Sequence, residues 1–369
     1  MAVYIFMIIW VAVVGFMSKG TEVTEIIDGR EEKRCSYTYS ILIFSVIILF
    51  TGLRSSVGDT LTYIKNFNNL DVEATSLSEL FWESNGYQLY YIYSYLIKRF
   101  VSDSATVFLF GIALISGIFS MMGFRRSSPD YGFSVLLFML SGRFVWMMNG
   151  IKQFAAAALM FMAMKYITDK KNGYLYFALL LVAYLIHPSA ILLLPAYFVV
   201  KGKPWSAKIL LTVGLSLLAI SFVGEFTDLL NFLTEDTVFD STLDRFADDG
   251  GSNIMRFFVS LAPPLLAFLK RKEVERIATP SVNVMINMSV IAACCYLIAT
   301  FTSGILFGRL PIYFELSGFC LIPWLLDNVY DMKDRKILKV LCVALYCVFF
   351  YFQVWGLEYT SRVLDITLY

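Results

Sequence analysis

Apolar runs long enough to cross a bilayer recur from one end of this chain to the other. They fall near residues 2–17, 38–53, 104–123, 131–149, 151–167, 173–187, 188–200, 207–224, 254–270, 283–302, 310–327 and 338–356. A spanning helix needs about 20 predominantly apolar residues, and a soluble core has no room for so many such segments. Of the 369 residues, 58% are hydrophobic and 16% charged, where soluble domains carry about 25% charge. Mean hydropathy is +0.69. Inside a bilayer every backbone polar group must be satisfied within the protein, which restricts spanning segments to helices or closed barrels. Runs of this length select helices. The expected fold class is therefore all-α, a polytopic integral membrane bundle of about twelve transmembrane helices with added interfacial helices. No 20–50-residue repeat or low-complexity tract divides it, so residues 1–369 read as a single membrane domain.

The runs differ in character. The first, "VYIFMIIWVAVVGFM", lacks a basic leader and a small-residue cleavage site, and reads as a retained helix rather than a signal peptide. The two short runs either side of "HPS" predict a helix broken at Pro188. "GYQLYYIYSYLIKRF" is too short in apolar residues to span; its tyrosines, with Lys98 and Arg99, suit an amphipathic helix at the interface. Five of the six cysteines lie inside apolar runs and read as small buried hydrophobes, with no zinc spacing among them. Net charge is +1, which gives no reason to expect a nucleic-acid partner.

Basic residues set the orientation, since cytoplasmic loops are enriched in Lys and Arg. Placing the loops around residues 19–34, 125–126, 165–171, 201–208, 270–276 and 333–339 inside puts 20 of the 30 Lys and Arg there. The spans alternate correctly if both termini are outside. Extracytoplasmic loops then lie near 54–103 and 225–253, the latter with eight acidic residues and only Arg245 basic. A span over 79–100 would reverse the N-terminal part of this scheme.

Some cations escape the anchoring pattern. Arg54, Arg143, Lys152, Arg256 and Arg309 all map near the outer ends of separate spans, and the only histidine, His187, ends its helix on the same side. Taken singly, an arginine at a helix end snorkels to the headgroups, and His187 before Pro188 serves as a cap. Five embedded cations on one side are a different matter: each is costly in a bilayer and faces an interior cavity. They point to an anionic ligand, of which a lipid phosphate or pyrophosphate is the natural candidate outside the cell. Asp248 and Asp249 in "FADDGG" read as a solvated loop, and neither a metal nor any other cofactor is expected.

Four stretches carry a family likeness: "GLRSSVGDTLTYIKNF" at 52–67, "NGIKQFAAAALMFMAMKYI" at 149–167, "LLLVAYLIHPSAILLLPAYF" at 179–198 and "FGRLPIYFELSGFCLIPWLL" at 307–326. In this order they resemble the EpsG/Wzy-type bacterial polysaccharide polymerases of O-antigen, capsule and exopolysaccharide synthesis. The family generally has Arg-Gln where this chain has Lys152-Gln153, so a bidentate fork becomes a point charge. The resemblance implies a GT-C-like bundle in the bacterial inner membrane. Its activity would be transfer of a growing glycan from undecaprenyl pyrophosphate to a lipid-linked repeat unit at the extracytoplasmic face. Partners would be undecaprenyl-pyrophosphate-linked oligosaccharides, the bilayer and a chain-length regulator protein. Arg54, Arg143, Lys152, Arg256 and Arg309, with Tyr63, Gln153 and Tyr313, would bind pyrophosphate and sugar. His187 would accept the acceptor's proton and Asp59 would position its hydroxyl. The competing readings are a flippase for the same lipid-linked sugars, another GT-C-type transferase, and a membrane acyltransferase built on His187.

Overall fold

A computed structural model of the protein describes residues 1–84, 86–221, 250–304 and 307–367. Most of the loop expected near 225–253, with Asp248 and Asp249, lies outside the described residues. Sixteen α-helices dominate those that are described. The N-terminal half begins with α1 (Ala2–Met17) and α2 (Tyr37–Gly52), followed by the short α3 (Thr60–Asn68), α4 (Leu77–Glu83) and α5 (Gln88–Phe100). A central group follows: α6 (Ala105–Ser127), α7 (Tyr131–Leu140), α8 (Ile151–Ala163), α9 (Tyr174–Ile186), α10 (Leu193–Val200) and α11 (Ala207–Ser221). The C-terminal part holds α12 (Ile254–Leu269), α13 (Arg271–Ile277), α14 (Pro280–Phe301), α15 (Ile312–Asn328) and α16 (Met332–Val354).

Three of these, α6, α14 and α16, are long and apolar enough to cross a membrane, and seven further segments are shorter apolar helices. The outer surface shows what solvent surrounds them. On α16, Val340 and Phe352 are about 70% exposed, and α1, α11 and α12 also turn large apolar side chains outward. A water-facing surface does not carry continuous apolar faces of this extent; a bilayer accepts them. The interior is packed around α8, α14 and α15, which are buried along nearly their whole lengths. Ala155 to Ala158 are all buried on α8, and such small side chains let neighbouring helices approach closely.

The all-α expectation holds, with one addition. Residues 23–34 form an antiparallel hairpin, β1 (Val23–Ile27) paired with β2 (Arg30–Arg34) in the register Val23 to Arg34 and Ile27 to Arg30. Asp28 (φ 52°) and Gly29 (φ 76°) make its two-residue turn, and an Asp-Gly pair with both φ positive is the favoured chemistry for such a turn. Hydropathy overlooked it because the signal is in the turn. Two further boundaries shift. The 79–100 stretch is two helices, α4 and α5, separated at Ser84–Tyr87. The 131–149 run stops as an α-helix at Leu140, and a 3-10 turn at Arg143–Met147 lies between Gly142 and Gly150, both in the left-handed region. The break at "HPS" occurs where expected: α9 ends at Ile186, His187 is extended, and a 3-10 turn begins at Pro188.

The hairpin marks one end of the bundle, where cations meet acids. Arg34 pairs with Glu32 and donates from Nε to the Arg126 carbonyl at 2.8 Å. Arg125 pairs with Glu25 at 2.6 Å, and Asp28 accepts from the Ser281 backbone N–H at 3.1 Å. Asp130 takes Lys339 at 2.9 Å and Lys19 at 3.7 Å while capping α7 by accepting from the Phe133 N–H. Burial pushes the Asp130 carboxyl up, and the Lys339 ammonium, Lys19 and the Phe133 N–H more than reverse this, leaving it below its ordinary value. Its contribution to stability is therefore full at neutral pH and lost as pH falls through the depressed folded value. Replacing Asp130 by Ala removes a cap and a partly buried partner, and should cost about 1–3 kcal/mol at neutral pH. The thermal midpoint in detergent should fall at pH 7, and the difference from wild type should shrink in acid.

Candidate active site

The stretch after α2 makes a strained turn. Val57 holds φ 116°, unusual for a β-branched residue, and Gly58 follows at φ 52°. A Cβ on Gly58 would sit 2.6 Å from the Asn149 side chain, so only glycine fits there. Asn149 Oδ1 accepts from the Asp59 backbone N–H at 3.2 Å, which fixes where α3 starts and puts Asp59 on the rim. Beneath this turn lies Arg54, 1% exposed. Its Nε donates to Thr60 Oγ1 at 2.9 Å, its Nη2 to the Met148 carbonyl at 3.1 Å, and its Nη1 to the Thr51 carbonyl. The C-terminal residues strap over the same turn: Ser55 N–H donates to the Thr360 carbonyl at 2.7 Å and Tyr359 OH to the Phe50 carbonyl at 2.8 Å.

Above Arg54 a cavity of about 470 Å³ opens at the end of the bundle away from the hairpin. Arg143, Lys152, Arg256 and Arg309 lie on its wall, and Asp59 is the one carboxylate there among the described residues. Each cation comes from a different element: the 3-10 turn after α7, the first turn of α8, the first turn of α12, and the 3-10 turn Phe307–Arg309 before α15. Ligand cavities commonly span about 300–1,000 Å³, and this volume falls within that range.

Among the described residues, two of the three guanidinium groups on the wall are each held through Nε. Arg143 Nε meets Glu315 Oε2 at 3.1 Å, with both side chains almost fully buried. Arg256 Nε donates to Gln353 Oε1 at 3.1 Å. Among the described residues neither Arg143 nor Arg256 spends an Nη group on a hydrogen bond, so each keeps the two-pronged end that matches a phosphate. Lys152 has no carboxylate partner among the described residues. Its Nζ sits 3.9 Å from the centre of the Tyr87 ring, 4.9 Å from Tyr90 and 5.7 Å from Tyr91. Ring faces attract a cation without neutralising it. Among the described residues the cavity wall therefore carries more cations than carboxylates.

His187 lies on the same wall and its tautomer follows from its partners. Ser189 donates to Nδ1 from its backbone N–H at 3.3 Å, and its hydroxyl lies 2.7 Å from the same nitrogen. Gln153 Nε2 donates to that hydroxyl at 3.3 Å and to the Arg309 carbonyl at 3.2 Å, while Tyr313 OH is 3.0 Å from it. A nitrogen that accepts a backbone N–H carries no proton, so the neutral imidazole has its hydrogen on Nε2. His187 then acts as a donor in this arrangement.

Of the residues singled out in the sequence, Asp59, Tyr63, Arg143, Lys152, Gln153, His187, Arg256 and Arg309 come together on this cavity. Arg54 and Tyr313 do not line it. Arg54 braces the loop from below with its donors committed to protein oxygens, and Tyr313 is buried behind Ser189. Tyr63 contributes its hydroxyl to the Gly150 N–H at 3.1 Å, and so supports the start of α8. Sequence reasoning missed Glu315, Tyr87 and Gln353. Glu315 carried a usable signal, being the one acid inside the apolar run "LPIYFELSGF". Tyr87 and Gln353 carried none, because tyrosines and amides near a boundary are common.

Fold and cavity together define an integral membrane protein with a cation-lined site at one end of its helical bundle. The chain belongs to the EpsG family, whose profile matches residues 37–364, the family of Wzy-type exopolysaccharide polymerases. That membership indicates a polysaccharide polymerase role of glycosyltransferase type. No curated protein and no solved structure matches the chain.

Two variants separate bracing from binding. Arg54→Ala removes the donor from the Thr51 and Met148 carbonyls and from Thr60 Oγ1, which keeps its bond to the Val57 carbonyl, and should lower stability by about 3–5 kcal/mol, seen as a lower thermal midpoint in detergent. Arg256→Lys keeps the charge and loses the fork, and should leave the midpoint within experimental scatter while weakening inorganic pyrophosphate binding about tenfold or more. Equal pyrophosphate affinity in Arg256→Lys and wild type would contradict the fork.

Proposed function

We propose that this protein is a polysaccharide polymerase that transfers a growing glycan from undecaprenyl pyrophosphate to a lipid-linked oligosaccharide repeat unit. It would work at the extracytoplasmic face of a bacterial inner membrane. The observation that carries the reading is the gathering of four cations from four separate elements around one cavity, with Asp59 the single carboxylate on its wall among the described residues. A site of that charge suits a ligand that is already anionic and becomes more so as it leaves. About twelve spans and a GT-C-like arrangement belong to the same proposal, as does a chain-length regulator acting beside it.

In the step we infer, a hydroxyl oxygen of the acceptor sugar attacks the anomeric carbon of the donor glycan. The bond from that carbon to the pyrophosphate oxygen breaks and its electron pair stays with the lipid pyrophosphate. Arg143, Arg256, Arg309 and Lys152 stabilise the charge that develops there, the kind of preorganised electrostatics that supplies the largest share of many rate enhancements. Asp59, at the rim on a strained turn, takes the hydroxyl proton. His187, with its hydrogen on Nε2, donates to an oxygen of the donor. This exchanges the roles first expected for Asp59 and His187, and the exchange follows from Ser189 occupying Nδ1.

Purified protein given a lipid-linked repeat unit from its host should produce a ladder of longer glycans; a flippase would leave the length unchanged. Asp59→Asn should slow the ladder by about 100- to 10,000-fold, as for loss of a general base. His187→Gln keeps an N–H donor and should retain measurable elongation. The reverse order would return the base role to His187. For orientation, in a background free of native cysteines, Asp71→Cys should react with an impermeant thiol reagent in intact cells and Glu275→Cys should not. Labelling of the second alone would invert the topology.

A further inference from the structure

A second cavity of about 340 Å³ adjoins the first, and its chemistry is of the opposite sign. It lies over α4 and the start of α5, lined by Thr75, Glu79, Glu83, Ser84, Tyr87 and Tyr91, with no Lys or Arg on its wall among the described residues. Tyr87 belongs to both cavities. One face of its ring covers Lys152 at 3.9 Å, and it meets His187 edge-on with centroids 5.3 Å apart. The ring is thus a partition with the cationic site on one side and the groove on the other.

The groove's polar groups are largely free. Glu83, the last residue of α4, has no hydrogen bond or ion pair among the described residues. Glu79 uses one carboxylate oxygen on the Ser76 N–H in the capping box of α4, leaving the other oxygen available. The hydroxyls of Tyr87 and Tyr91 make no hydrogen bond among the described residues. Carboxylates beside aromatic faces are suited to a ligand with many hydroxyl donors and weakly polarised C–H faces, which describes a sugar ring. The charge of the wall selects further, because two carboxylates without a cation repel an acidic sugar and accept a neutral or amino-bearing one.

We propose that this groove is a glycan-binding site for uncharged or amino-bearing sugars, adjoining the pyrophosphate site across Tyr87. It deepens the polymerase reading and rests on it for the identity of the glycan, while its affinity for sugar is independent of catalysis. A lipid-linked unit would place its pyrophosphate among the four cations and its sugars along Glu79, Glu83, Tyr87 and Tyr91. The change of sign between the two cavities would set which end lies where.

The test uses the full-length protein in nanodiscs and two readouts. The first is binding of the free oligosaccharide released from the host polysaccharide, followed by saturation-transfer NMR with and without saturating inorganic pyrophosphate. The second is ladder formation from the lipid-linked unit. Wild type should bind the free glycan with pyrophosphate present, and Glu83→Lys and Tyr91→Ala should each weaken it about tenfold, the loss expected for one charged hydrogen bond or one stacking face. Glu83→Lys should keep the wild-type thermal midpoint, since Glu83 is exposed, whereas Tyr91→Ala should lower it modestly through the lost edge-on contact with Tyr90 and stay folded at the assay temperature. Glycan binding that is absent in wild type, displaced by pyrophosphate, or unchanged in both variants would overturn the groove. A ladder alongside unchanged binding would sink the groove and leave the polymerase standing. Binding that depends on Glu83 without any ladder would do the reverse.

Discussion

Arg54 holds the site together from a place no ligand reaches. It joins the end of α2, the strained turn before α3 and the segment leading into α8 through three protein oxygens, and it has no carboxylate beside it among the described residues. A buried guanidinium is tolerated only when its donors are satisfied, so each of those oxygens must stay where it is. The consequence is a rigid floor. On it stand Asp59 at the rim and Lys152 at the start of α8, and over it the C-terminal residues close by bonding to Ser55 and Phe50.

Charge is sorted along the bundle by pairing. At the hairpin end, Arg34, Arg125 and Lys339 each have an acid in contact, and the result is a latch. At the opposite end, among the described residues, Lys152 lies against tyrosine rings without a carboxylate in contact, Arg256 bonds the amide of Gln353, and Arg143 meets an acid through Nε. A paired charge near a surface contributes little beyond geometry, whereas one without an acid beside it attracts an anion. The same residue types therefore do two jobs, separated by what lies next to them. Glu315 shows how finely this is set: it orients Arg143 through Nε and leaves the phosphate-matching end turned to the cavity.

Much of this could be read from residue order. Hydropathy placed the helices, and the five cations outside the anchoring loops led to four that share a wall. The break at His187-Pro188 was visible because proline cannot continue a helix and restricts the residue before it. Other features lay beyond any one-dimensional pattern. Arg54 and Arg143 looked equivalent, each an arginine at the edge of an apolar run, and only the position of Thr60 and Met148 against that of Glu315 puts one beneath the cavity and the other on its wall. His187 read as a base because an isolated imidazole titrates near neutrality; the Ser189 backbone N–H decides which nitrogen is free.

The linear order of residues determined that this chain enters a membrane as helices, where its apolar lengths begin and end, and that it carries more cations at one end than anchoring requires. Those are properties of local composition, and transfer into lipid depends on little else. Tertiary structure decided which cations share one cavity wall, which carboxylate joins them there among the described residues, and that an acidic, tyrosine-lined groove lies against a cationic cavity across one tyrosine ring. Those properties depend on partners brought from distant parts of the chain, Met148 to Arg54 and Gln353 to Arg256 among them, and a charge is defined in its effect by its neighbours.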